Sequence, residues 1–388
     1  MRDALPCVTV KYNAHGKKDK MSRQKPGTKT PKRAENRIMI TSLHIKNFRC
    51  FRDLNLDGLK RFNMIVGESA SGKTALLESI FLVSAANPVV WLRMRQWRGM
   101  SQLIRLTGTR ASYESIFRDL FYNFESDRGA SINISDDELG KRILRVNYAG
   151  KQTYRLPAKG QFENAFGVEP IVFNWQLKNR TFKSKVSVST KDGSLSFEGA
   201  NEVYPAWYSS PAIQESANLA QMYSDLSQKN RTGHVTNAVR AIFPFIDDMS
   251  LESVAGDLGI CVSMSGIDEK MPLQAISGGL SRFLSLAIAI AYNEGGVVLI
   301  DEFESGFYYA NLSSILESIC SFCEEKRVQV FATTHSYEFL QALLPVMTKR
   351  RGTPNEFSLL RAVRGRKECS VEVIGEPSPA IENSLEVR

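Results

Sequence analysis

The chain has 388 residues, 43% hydrophobic, 23% charged and 10% aromatic, which excludes a disordered or fibrous protein and provides for a full buried core. Its formal charge of +9 points to a polyanionic partner until it is located: residues 1–38 hold eleven Lys/Arg against three Asp/Glu, and the remainder is nearly neutral. The longest strongly apolar run, 283–292, is too short to cross a bilayer about 30 Å thick. With no early segment resembling a signal peptide, a cytoplasmic chain without a membrane partner is expected. Six cysteines are too sparse for a disulfide framework and are expected to be thiols.

In chain order, residues 1–38 are rich in Gly, Lys, Pro, Thr and Arg without apolar periodicity, and read as a basic disordered tail. Residues 39–47 and 50–57 read as two strands, and Phe62–Val66 as a short apolar strand entering a Gly-rich turn. A helix is predicted over 74–83, a basic stretch to Arg110, then a helix over 111–124. Residues 130–210 read as short strands, including 185–190 and 195–197, followed by helices at 212–228 and 233–243 and strands at 250–256 and 259–264. A Ser-Gly-Gly turn then opens a helix over 280–293, before the apolar strand Val297–Ile300 and a last third alternating helix and strand. This pattern predicts an α/β fold, a mixed sheet flanked by helices with an α+β insertion. Four segments are expected: the tail to 38, an N-lobe over 39–110, the insertion and lobe-completing elements over 111–269, and a C-lobe over 270–388.

The chemistry begins at Gly67-Glu68-Ser69-Ala70-Ser71-Gly72-Lys73-Thr74, a phosphate-loop pattern between predicted strand and helix. Its glycines let backbone N–H groups surround phosphates at a helix N-terminus; Lys73 is expected at the β and γ phosphates, and the Thr74 hydroxyl on Mg²⁺. Downstream, Asp301-Glu302 ends an apolar strand, which suits a parallel strand delivering acids to the sheet's carboxyl edge. Asp301 would join the Mg²⁺ shell and Glu302 activate the attacking water. Ser277-Gly278-Gly279 can bind an anion through free helix N–H groups, although a linker turn reads equally from so short a motif. His335 follows the next predicted strand, suited to a γ phosphate. Cys320 and Cys323 form a lone CxxC that reads as packing, with metal or redox use the alternative.

In order and spacing these motifs resemble the ATP-binding-cassette (ABC) ATPases of the branch containing the RecF, SMC and overcoming-lysogenization-defect families. The likeness includes Ile45-Lys46-Asn47-Phe48-Arg49-Cys50-Phe51 and a D-loop at Glu304-Ser305-Gly306, and covers about 39–85 and 270–365. It implies ATP and Mg²⁺ as ligands, catalytic roles for Lys73, Glu302 and His335, and a homodimer sandwiching two ATP molecules, each signature Ser277 completing the partner's site, with a higher oligomer open. Ser69 and Tyr308 depart from common family residues, and Gln96 and Gln102 are the candidates for the Q-loop glutamine.

Without sustained heptads, SMC-like coiled-coil arms are not expected. Because 53 residues follow His335, too few for a Toprim domain, any nuclease is expected on another chain. Two readings follow. The chain resembles compact antiphage ATPases such as that of the PARIS system, a scaffold and sensor controlling a separate Toprim-type effector and triggered by nucleic acid or a phage protein. Alternatively it is a RecF-like DNA-repair ATPase. The stretch 79–113 carries Arg93, Arg95, Arg98, Arg105, Arg110, Trp91 and Trp97 without an acid, and leaves a protein interface, a solvated face and a nucleic-acid surface open.

Overall fold

A computed structural model describes residues 39–100, 115–137, 140–149, 171–178, 180–188, 195–198, 205–211, 216–254, 256–350 and 357–374. The expected tail and residues 111–114, with Gln102, Arg105 and Arg110, lie outside them.

The elements run β1 (Ile40–Phe48), β2 (Phe51–Asp57), β3 (Phe62–Val66), α1 (Lys73–Ala85), α2 (Val89–Trp97), β4 (Ala130–Asp136), β5 (Gly140–Tyr148), β6 (Ile171–Leu177), β7 (Arg180–Val188), β8 (Leu195–Glu198) and β9 (Ala206–Ser209). There follow α3 (Ser216–Gln228), α4 (Thr232–Ile242), β10 (Ile246–Val254), β11 (Asp257–Met264), β12 (Met271–Pro272), α5 (Gly278–Tyr292), β13 (Val297–Ile300), α6 (Leu312–Glu325), β14 (Gln329–Thr333), α7 (Tyr337–Lys349), β15 (Phe357–Arg364) and β16 (Cys369–Ile374).

Two sheets sandwich α1. A six-stranded sheet of order β16-β15-β3-β14-β13-β9 is parallel except at β16, and a seven-stranded antiparallel sheet runs β2-β1-β4-β5-β6-β7-β8. The parallel strands are buried on both faces: Ile65, Leu299 and Phe331 join the core around α1, while Met64, Val298 and Val330 face the core built with α3 to α7. That two-sided burial accounts for the unbroken apolar runs of β3 and β13. α1 is buried almost all round, as its composition requires between two sheets. The inserted chain is woven into both lobes, with β4 to β8 extending the β1–β2 hairpin and β9 adding to the parallel sheet.

The structure corrects two sequence expectations. Instead of a helix over 111–124, residues 115–117 make one helical turn, followed by three-residue turns at Arg118–Leu120, Tyr122–Phe124 and Ser126–Arg128. The backbone there serves tertiary partners: Arg49 N–H donates to the Leu120 carbonyl at 2.9 Å, and Phe121 bridges to Phe48. The basic stretch, in turn, contains α2, whose Trp91 is fully buried and donates through Nε1 to the Ile116 carbonyl at 3.0 Å. Arg95 is buried on Asp119 and Trp97 stacks on Tyr208, whereas Arg93 and Arg98 are exposed, Arg98 bonding Glu78 at 2.8 Å. Cys320 and Cys323 are buried in α6, and burial pushes the Cys323 thiol pKa up, consistent with packing. Among the described residues no helix is long and apolar enough to cross a membrane.

Candidate nucleotide-binding site

The parallel register brings distant motifs together. β3, β13, β14 and β9 end at one carboxyl edge, so the phosphate loop, Asp301-Glu302, Thr333 to His335 and Ser209 converge. Gly67 and Gly72 have φ of 141° and 101°, and a Cβ would lie 2.1 Å from the Ala362 carbonyl oxygen at the first and 2.9 Å from Cys50 Sγ at the second. No side chain caps the N-terminus of α1, whose first turn holds no acid, and the buried Ser71 hydroxyl has no partner among the described residues. The cradle therefore offers free donors to an anion.

Lys73 curls over the loop, donating from Nζ to the carbonyls of Gly67 and Glu68, each at 2.6 Å. Burial lowers its pKa, opposed by the carboxylates of Asp301, Glu302 and Glu304. The Thr74 hydroxyl donates to Asp301 Oδ2 at 3.1 Å. Asp301 also accepts from Thr333 Oγ1 at 2.6 Å and from Tyr208 at 3.2 Å. Burial, then the Asp301 charge, holds the Tyr208 phenol well above its ordinary pKa, keeping it a donor.

A cavity of about 860 Å³ runs along this edge, lined by Ser69 to Ala75 and His335 and, beyond them, by Arg49, Cys50, Arg98, Met100, Asp119, Phe121, Asn123 and Phe124. The second group was not singled out in the sequence as a ligand site. Its signal was the Ile45-to-Phe51 motif: Arg49 occupies the β1–β2 turn at φ 53°, bonds Glu78 at 3.2 Å and Asp119 at 2.8 Å, and lies 4.5 Å from the Trp91 ring centroid. Asn47, at φ 52°, fixes the turn by donating to the carbonyls of Glu125 and Gly129.

The remaining candidates fall around this cavity. His335 lines it, and its N–H donates to Glu304 Oε1 at 2.9 Å. Glu302 takes φ 49°. Ser277 caps α5, accepting from Leu280 N–H at 3.4 Å, but Ser277, Gly278 and Gly279 are not among the residues lining the cavity. Gln96 sits on the exposed side of α2 and does not line it either. The hydroxyl of Thr74 and the carboxylate of Asp301 are hard oxygen donors already within hydrogen-bond reach, a set that fits Mg²⁺. Among the described residues no group of three or more His, Cys, Asp or Glu converges, so such an ion would complete its shell with phosphate and water oxygens.

A phosphate loop on the buried parallel strand β3, acids at the end of β13 two strands away and a second Gly-rich helix start are the parts of an ATP-binding-cassette-like fold. Residues 265–341 match the family described as "AAA domain, putative AbiEii toxin, Type IV TA system", and residues 42–88 one described as "AAA domain". The chain is 22% identical over 347 residues to an ATP/GTP phosphatase of Helicobacter pylori, covering 80% of this chain and 89% of that one. It is 27% identical over 119 residues to the chromosome partition protein Smc of Methanocaldococcus jannaschii and 41% over 49 residues to RecF of Bacillus cytotoxicus, spanning only 10% and 13% of those proteins. The SMC head bound to the C-winged helix domain of ScpA aligns at TM-score 0.45 and 13% identity over 88% of this chain and 99% of that one. In its two matched segments, 42–88 and 265–341, the chain is thus similar to ATPases of the RecF/SMC branch.

Proposed function

We propose that the chain binds ATP with Mg²⁺ and hydrolyses it in the cytoplasm as a homodimer, and that the closure so driven controls a separate effector, a Toprim-type nuclease, in prokaryotic antiphage defence. The observation carrying the reading is the convergence of Lys73, Thr74, Asp301 and His335 on one edge of the parallel sheet. Thr74 and Asp301 would hold the ion, which would supply neutralisation of the negative charge that develops on the phosphates. Lys73 exchanges loop carbonyls for phosphate oxygens, Glu302 accepts the proton of the attacking water, and His335 contacts the γ phosphate. Base and ribose occupy the end lined by Arg49, Phe121 and Asn123.

The position of Ser277 supports a dimer: its helix start does not line the cavity of its own chain and is open to another copy's nucleotide. The defence assignment draws on the family description over 265–341, and the hydrolytic assignment on the ATP/GTP phosphatase likeness. A RecF-like DNA-repair role is the second reading, favoured by the 41% identity to RecF over 49 residues. Lys73→Ala should abolish binding of fluorescent ATP, whereas Glu302→Gln should bind it and release phosphate only at a small residual rate; hydrolysis by Glu302→Gln at the wild-type rate would refute the site. Copurification with a nuclease encoded by the neighbouring gene supports the effector role, and salt-sensitive binding to duplex DNA by the isolated chain supports the RecF-like one.

A further inference from the structure

The Asp301–Glu302 peptide is one of the strained points of the site. At φ 49° Glu302 is left-handed, a conformation unfavourable outside glycine and kept only where the surroundings enforce it. Its N–H donates to Thr333 Oγ1 at 2.9 Å. On the carbonyl side Arg282 Nη2 donates to the carbonyls of Asp301 at 3.1 Å and Glu302 at 3.3 Å, and Nη1 to Ser209 Oγ at 3.1 Å, while Ser305 N–H also donates to the Glu302 carbonyl at 3.1 Å. Arg282 lies in the second turn of α5, the helix opened by Ser277. The start of that helix is packed on the D-loop, where a Cβ on Gly279 would lie 3.0 Å from the Gly306 carbonyl oxygen. One guanidinium thus ties the signature helix, the end of β9 and the peptide carrying the acids into a single block, its planar fork reaching the Ser209 hydroxyl through one nitrogen and the two carbonyls through the other, a span that a single ammonium does not cover.

We propose that Arg282 is a positioning residue for Glu302: it holds the left-handed peptide that aims the carboxylate at the attacking water, and passes movement of α5 on nucleotide engagement to that carboxylate. This rests on the reading of Glu302 as the base. The test uses the full chain carrying Arg282→Lys, Glu302→Gln and both, with melting temperature, fluorescent-ATP affinity and single-turnover hydrolysis measured for each. Arg282→Lys should bind ATP within about twofold of wild type and lose roughly 10- to 100-fold in kcat at unchanged KM, the size of loss that an ångström of misplacement produces. In the Glu302→Gln background the same substitution should cost nothing further, because its target is already gone. Wild-type kcat in Arg282→Lys, or a further tenfold fall in the double variant, would overturn the inference. A Glu302→Gln chain of full activity would instead overturn the base assignment beneath it. If Arg282→Lys melts far below wild type, Thr333→Val, which removes the opposite support of the same peptide, must show the same loss of kcat and the same absence of effect in the Glu302→Gln background, or the proposal fails.

Discussion

Asp119→Ala tests whether the arginines of α2 are structural. Asp119 bonds Arg95 and Arg49, whose side chains are 5% and 9% exposed against its own 23%. After truncation Arg49 keeps Glu78 at 3.2 Å, but Arg95 loses its carboxylate and stays buried with its charge. Removing one partner of a buried pair costs about 3–5 kcal/mol, and partial exposure of Asp119 favours the low end, about 3 kcal/mol. At about 2 °C per kcal/mol for a chain of this size, Tm should fall by roughly 6 °C. Arg93→Ala, on the exposed side of the same helix, should stay within about 0.5 kcal/mol. Adding Arg95→Met to Asp119→Ala should recover part of the loss by removing the unpaired charge. Because Arg49 and Asp119 line the cavity, affinity for ATP should fall with stability. Urea unfolding and thermal melts of the three variants decide the matter: an Asp119→Ala chain within about 1 kcal/mol of wild type would refute the buried network.

Gly72→Ala should leave the chain folded but at least tenfold weaker for ATP by titration, because a Cβ there meets Cys50 Sγ at 2.9 Å and the Phe51 ring at 3.0 Å in a φ 101° backbone. Mixing Lys73→Ala with Ser277→Arg subunits should restore part of the ATPase rate through one complete composite site; verified mixed dimers without recovery would refute the trans arrangement. The Cys50 thiol is pushed up to about 12, by burial and then by Cys369. At pH 8 it should therefore react with iodoacetamide about a thousandfold more slowly than an ordinary thiol. The folded chain keeps this proton to about pH 12 and the unfolded chain loses it near 9. Stability should accordingly decline as pH rises from 9, less steeply in Cys50→Ser, as urea midpoints at pH 8 and 10.5 would register.

Contiguous features were legible in the sequence. The spacing of Gly67, Gly72 and Lys73 fixes a local backbone, and the apolar runs of β3 and β13 record burial on two faces, so phosphate loop, acids and mixed sheet could all be read along the chain. Ser277 to Gly279 carried less, since three residues cap a helix without saying whose cavity they face. The arginine- and tryptophan-rich stretch could not be resolved at all: its carboxylate partners are Glu78 on α1 and Asp119 some twenty residues further along, and no local pattern reports which side chain will meet which.

The sequence by itself therefore determined the phosphate-binding chemistry and the class of fold, because backbone conformation and hydrophobic period are local properties. Tertiary structure alone decided three things: the helix expected over 111–124 gives way from Arg118 onward to turns that pair with the β1–β2 hairpin, Arg95 and Trp91 point inward, and Tyr208 and Arg282 reach Asp301 and Glu302. Each depends on burial and hydrogen bonding between segments remote in the chain, where the cost of an unpaired buried group outweighs local propensity.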